Sequence, residues 1–197
     1  MLRNYAALTS SLLQPGSGFC QPSQSLPQRV DLDDAAENVM TDLKRVSAVL
    51  IRPGDGVDEA HRRMVQRGVR LLLVVDETRR VVGIITTDEV LGEKPLQMIA
   101  ERGCRHEDIL VCDIMTPPHR LEVLHLSDVR SAKVGHIVAT LKKSGRQHAV
   151  VVEVGHDGKQ TVRGLFSATQ IARQLGVAIQ TSEIAGTFSE IEAQLAR

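Results

Sequence analysis

Four short groups of residues in this chain carry side chains that could do chemistry. Thr86 and Glu89 stand three positions apart, and so do Ser167 and Gln170. A hydroxyl followed three residues later by a carboxylate or amide spells a capping box, in which each side chain satisfies a backbone N–H at a helix start. Arg146, Gln147 and His148 follow Lys142 and Lys143 in a local basic cluster. That cluster has two readings: the wall of a phosphate cleft, or helix-end cations that complement the helix dipole. Cys104, His106, Cys112 and His119 share one connecting stretch, but their spacing matches no standard zinc pattern and no CxxC pair occurs. They read as small thiols and exposed imidazoles. His61 and His136 sit within helical patterns with no acid–base partner in sequence. Phosphate-loop, nucleophile-elbow and H-E-x-x-H motifs are missing, so the expectation is a protein without catalysis.

The elements that must hold these residues come in two copies. Val39-Met40-Thr41 recurs as Ile114-Met115-Thr116. Val57, Met64 and Gly68 recur as Val134, Leu141 and Gly145. The run Leu71 to Val75 recurs as His148 to Val152, and Gly83-Ile84-Ile85-Thr86 recurs as Gly164-Leu165-Phe166-Ser167. Each copy opens on a helix with helical apolar spacing: Val57, Ala60, Met64 and Val65 in the first, Val134, Ile137, Val138 and Leu141 in the second. A glycine follows each helix, where a left-handed cap costs little. Next comes a wholly apolar run, the pattern of a strand buried on both faces. A second strand follows (Val81 to Ile85, Val162 to Phe166), then a short helix (Thr87 to Leu91, Ala168 to Leu175). One copy alone has little surface to bury, so two copies packed through their sheets are expected to share one core.

Composition bounds the rest. The chain has 197 residues with 24 basic and 24 acidic side chains, hence no net charge and no electrostatic footprint of a nucleic-acid binder. Its aromatic residues are Tyr5, Phe19, Phe166 and Phe188, too few for base-stacking platforms. No apolar run approaches the ~20 residues of a membrane span. Three scattered cysteines suggest a reducing compartment, and a cytoplasmic location is expected. Residues 1–30 lack acids and are rich in Ser, Gln, Pro and Gly, which predicts a flexible tail. Pro95 and Gly103 bound a predicted linker helix. Ile184, Phe188, Ile191 and Leu195 fall on one face of a predicted C-terminal helix.

Each copy resembles a CBS domain, and the pair resembles a tandem CBS (Bateman) module. The resemblance rests on the Met40-Thr41 and Met115-Thr116 starts, the Val57 and Val134 helices, Leu72 to Asp76, and the Gly83–Thr86 and Gly164–Ser167 motifs. It covers roughly residues 38–176. It implies an α/β fold, a CBS-domain pair of two β-α-β-β-α repeats with pseudo-twofold packing through their sheets. The corresponding organisation is a tail over 1–30, repeat 1 over 35–92, a helical linker over 93–112, repeat 2 over 113–176 and the C-terminal amphipathic helix over 177–197.

The resemblance also implies regulation. Members of the family bind adenine nucleotides or S-adenosylmethionine in clefts between the repeats. The family pattern is Gly, two apolar residues, Thr or Ser, any two residues, then Asp. The hydroxyl meets phosphate, as a small hydroxyl beside free N–H groups suits an anion. The carboxylate holds the two ribose hydroxyls, as a pure acceptor forming charge-assisted bonds. This chain departs from the pattern at the acid. Copy one has Thr86 and Glu89, which keeps the charge, while Asp88 is expected to point elsewhere on the helix. Copy two has Ser167 and Gln170, which has lost it. Copy one is therefore expected to be the better site. The expected ligand-binding residues are Gly83, Ile84, Thr86 and Glu89 in copy one and Gly164, Ser167 and Gln170 in copy two, with Arg146 and His148. An adenosyl ligand is the expected partner, with no metal and no other cofactor. A homodimer and a separate effector protein are the expected protein partners. The alternative is a dimeric interaction or assembly module whose clefts are vestigial.

Overall fold

The structure is a computed structural model that describes residues 12, 14, 15 and 23–177. The expected C-terminal helix over 177–197 therefore lies, apart from Val177, outside the described residues.

Repeat 1 contributes strand β2 (Leu50–Ile51), helix α1 (Val57–Arg67), the hairpin β3 (Leu71–Val75) and β4 (Val81–Thr86), and helix α2 (Thr87–Leu91). Repeat 2 contributes β5 (Val123–His125), α5 (Leu126–Ser131), α6 (Val134–Ser144), β6 (His148–Val154), β7 (Gln160–Ser167) and α7 (Ala168–Gln174). Helices α3 (Glu93–Arg102) and α4 (Val111–Ile114) join them. The repeats match in detail. In each, the first strand runs parallel to the next and the hairpin strand returns antiparallel. The ladder slips at Val74/Val75 in one copy and at Val151/Val152 in the other. Gly68 and Gly145 close α1 and α6 at φ 62° and 63°, in the left-handed region where a Cβ would be strained. Repeat 2 differs by α5, which fits in because eleven positions separate Val123 from Val134, against seven from Leu50 to Val57.

Helix α1 buries Val57, Ala60 and Met64, and α6 buries Val134, Ile137 and Leu141. Val65, expected on the buried face of α1, is 68% exposed. Residues 57, 60 and 64 already fill the stripe that faces β3, and position 65 lies ~100° further round the helix. All five residues of β3 are buried, as its unbroken apolar run predicts. Each repeat has a core beneath its helices, and a third core lies between the sheets, built on Leu71, Leu73, Ile84, Val150 and Val152.

The strand order reveals an exchange. Strand β1 (Thr41–Asp42) precedes repeat 1 but pairs with β7, so one sheet runs β1-β7-β6-β5 and the other β2-β3-β4. Thr41 lies opposite Leu165. The matching segment of repeat 2 crosses the other way: Thr116 bridges Ile84, with reciprocal N–H···O bonds of 3.0 and 2.9 Å. A Cβ at Gly83 would lie 2.7 Å from the Thr116 carbonyl oxygen, and one at Gly164 would lie 2.7 Å from the Met40 sulfur. The Met-Thr and Gly motifs are thus two halves of one contact, made twice. Asp42 anchors β1 through a two-pronged ion pair with Arg163, both side chains being 13% exposed.

The expected flexible tail ends earlier than residue 30. Gln24 accepts from the Asp42 N–H (2.8 Å) and donates to the Met40 carbonyl (2.9 Å), satisfying backbone groups at the free edge of β1. The Val30 N–H donates to the Gln174 carbonyl, and the Gln174 amide donates to the carbonyls of Pro27 and Asn38. Polar side chains and one buried valine dock this stretch, a route to order that an apolar-content argument overlooks.

The exchange sets an expected result. Gly83→Ala meets backbone and should destabilise the fold by about 1–3 kcal/mol. Gly164→Ala meets mostly a flexible methionine, so Met40→Ala should partly rescue it. Urea unfolding of the four variants checks this; an unchanged midpoint for Gly83→Ala would show that the close approach is not a constraint.

Candidate functional site

Two of the clefts between the repeats are related by the same pseudo-symmetry. Each places a helix start from one repeat opposite the helix-to-strand turn and lead segment of the other. Cleft one, about 170 Å³, is lined by Ile84, Thr86, Asp88 and Glu89 on one side and Thr116, Leu121 and Gly145 to His148 on the other. Cleft two, about 580 Å³, is lined by Leu165 to Ser167, Thr169, Gln170 and Arg173 against Thr41, Leu43, Val46 to Val49 and Arg67 to Leu71.

In cleft one the carboxylate is already engaged. Glu89 Oε2 accepts from the Thr86 N–H (2.8 Å) and the Thr86 hydroxyl (3.2 Å). Glu89 Oε1 accepts from the Thr116 hydroxyl and from Lys94 Nζ (2.9 Å), and Lys94 also donates to the Ile114 carbonyl. The side chain is 12% exposed. Lys94 reaches it from α3 because the chain breaks helix at Gly92, where a Cβ would lie 2.2 Å from the Asp88 carbonyl oxygen. Asp88, expected to point elsewhere, lines this cleft. Arg146 stands in its wall, paired with Glu122 at 3.5 Å and bonded to the Arg120 carbonyl.

In cleft two the corresponding pair is looser. The Thr41 hydroxyl donates to Gln170 Oε1 at 3.5 Å, as Thr116 does to Glu89, and Gln170 Nε2 donates to Gln174 at 3.3 Å. Ser167 caps α7 without a side-chain hydrogen bond, so the box expected there does not close. Among the described residues no carboxylate lines this cleft, while Arg67, Arg70 and Arg173 do. Arg70 donates to the Thr169 hydroxyl at 3.1 Å.

His148 borders both clefts. Desolvation lowers its pKa to about 4, and the nearby Arg70 charge acts in the same direction. The imidazole is neutral at physiological pH. Gly83 and Gly164 line neither of these two clefts; they lie beneath the exchanged segments. Composition and motif reading missed Thr41 and Thr116 as site hydroxyls, although their recurrence was visible. It also missed Lys94, Arg67, Arg70, Thr169 and Arg173, for which one copy's pattern carries no signal. Cys104 and Cys112 are free thiols, and His106 pairs with Asp58 at 3.2 Å. Among the described residues, no three His, Cys, Asp or Glu side chains converge as a metal site, and no helix is long and apolar enough to cross a membrane.

The paired repeats, exchanged lead strands and clefts between them define an α/β module built from a duplicated domain. Residues 30–95 match the family model of the CBS domain. An uncharacterized conserved protein from Pyrococcus horikoshii shares the fold, at 20% identity over 78% of this chain and 100% of that one, with a TM-score of 0.52. The CBS domain pair of protein MJ0100, solved in complex with 5′-methylthioadenosine and S-adenosyl-L-methionine, is 18% identical over 74% of this chain and 98% of that one, with a TM-score of 0.50. The described residues have the fold of a CBS-domain pair, and residues 30–95 are the part that the family model matches. A homoserine O-acetyltransferase of Methanosalsum zhilinae is 33% identical over 63 residues, which span 30% of this chain and only 13% of that enzyme.

Two results are expected. Glu89→Ala strands the Thr86 N–H, the Thr116 hydroxyl and Lys94, and should cost the ligand-free protein about 2–3 kcal/mol. An unchanged unfolding midpoint would mean the network carries no stability. For His148, the folded pKa lies below the unfolded value near 6.5, so the unfolded state takes up the proton first. Its contribution is complete above pH ~6.5 and is lost as pH falls toward ~4. His148→Gln should flatten that limb of the stability–pH curve; identical acid limbs would refute it.

Proposed function

We propose that this chain is a non-catalytic regulatory module that senses an adenosyl ligand, and that cleft two is the sensing site. The observation that carries the reading is the contrast between the clefts. Cleft two is the roomier, about 580 Å³ against about 170 Å³, and presents an uncommitted Ser167 hydroxyl at a helix start. In cleft one, Glu89 is spent on Thr86, Thr116 and Lys94. The expected preference for copy one, made on charge alone, thus reverses in this proposal. The ligand-bound MJ0100 pair supports an adenosyl ligand in this fold; AMP, ADP, ATP and S-adenosylmethionine are the candidates.

A ligand touching both repeats favours whichever arrangement lets it touch both, and differential affinity is what shifts a population. A separate effector chain in the cytoplasm would read that shift. A homodimer formed through helices α1, α2 and α3 is part of the proposal, since Val65, Leu91 and Leu96 on them are each more than 60% exposed. The second reading, an interaction module with vestigial clefts, draws on cleft one, whose network holds the repeats together without a ligand.

A thermal-shift titration with AMP, ADP, ATP, S-adenosylmethionine and guanine nucleotides tests this. At 100 times its dissociation constant, a ligand should add about 2.7 kcal/mol to the folded state. The shift should shrink in Ser167→Ala with Gln170→Ala and persist in Thr86→Ala. A flat response across all ligands overturns the sensor and leaves the interaction module.

A further inference from the structure

Cleft two combines features that the acid-bearing pattern does not. Arg67 and Arg70 stand on its repeat 1 wall and Arg173 on its repeat 2 wall. None of the three makes an ion pair among the described residues, although surface arginines elsewhere in this chain do: Arg62 and Arg63 pair with Glu59, and Arg102 with Asp113. Three guanidiniums without an ion pair line one cavity with hydroxyls from Thr41, Ser167 and Thr169, Arg70 bonded to the last of these, and with no carboxylate among the described residues. Where an acid would grip the ribose, Gln170 offers a neutral amide, already leaning on Thr41 and Gln174.

Resting on the reading above, we infer that cleft two selects its ligand by phosphate charge rather than by ribose: it takes a nucleoside polyphosphate clamped between Arg67 and Arg70 of one repeat and Arg173 of the other. Guanidinium pairs with phosphate in two-pronged, charge-assisted bonds, roughly twice as strong as neutral ones. A carboxylate at position 170 would repel the same phosphates. S-Adenosylmethionine sets one carboxylate against a sulfonium and an ammonium, so it is net positive and gains far less from three arginines than a polyphosphate does. The neutral bond from Gln170 to a sugar hydroxyl is a small share of the binding by comparison.

Calorimetric titration of the full chain with ATP, 2′-deoxy-ATP, AMP, adenosine and S-adenosylmethionine tests the inference. ATP should bind more tightly than AMP, and AMP more tightly than adenosine or S-adenosylmethionine. 2′-Deoxy-ATP should stay within about tenfold of ATP, the span of one neutral hydrogen bond. Arg67→Ala and Arg173→Ala should each weaken ATP roughly tenfold or more and leave adenosine unchanged. Both side chains are exposed, so ligand-free melting should not move. S-Adenosylmethionine or adenosine binding as tightly as ATP, or arginine variants that keep full ATP affinity, overturns the charge selection while leaving an adenosyl sensor standing. No binding by any of the five overturns both the inference and the sensor.

Discussion

The contact on which the molecule depends is the crossing of the two lead segments. Thr41 pairs beside Leu165 and Thr116 beside Ile84, so each repeat supplies backbone to the other's sheet. The crossing is tight because the partner position is glycine in both places. It draws the apolar faces of β3, β4, β6 and β7 together, and the inter-sheet core of Leu71, Leu73, Ile84, Val150 and Val152 follows. The same crossing brings Thr41 to Gln170 and Thr116 to Glu89. Fold and cleft therefore share one cause.

Given that symmetry, the difference between the clefts comes from a few side chains. Glutamate at position 89 recruits Lys94 from α3 and holds both hydroxyls of its cleft, closing it around an internal ion pair. Glutamine at position 170 recruits no cation and leaves the neighbouring arginines to solvent. A buried charge needs partners, and Glu89 finds them in Thr86, Thr116 and Lys94.

Local pattern made much of this legible. The helix stripes of α1 and α6, the glycine caps at Gly68 and Gly145 and the all-buried β3 follow from spacing and residue type. Repetition carried the rest of the architecture, down to the recurring Met-Thr and Gly motifs. What stayed hidden depends on distance along the chain. Nothing near Thr41 states that it pairs with Leu165. Lys94 lies five positions beyond Glu89, past a helix break, a separation that no one-helix pattern links. Gln24 reads as tail until the free edge of β1 is known to need a donor and an acceptor. Charge alone ranked the clefts; that Glu89 already has partners was not legible in one repeat's sequence.

The crossing also orders events in time. Strand β1 leaves the ribosome well before β7, the strand it must join, has been made. At a synthesis rate of 5–20 residues per second, the wait between Thr41 and Leu165 is on the order of ten seconds. Through that interval repeat 1 can form its hairpin and helices, but its inner sheet face has no counterpart and the Met40 segment has no ladder. Closing so long a loop is slow compared with forming local hairpins, and unpaired edges left waiting invite association with other chains. Newborn copies of this protein thus pass through a half-built stage that ends only when the second sheet is complete.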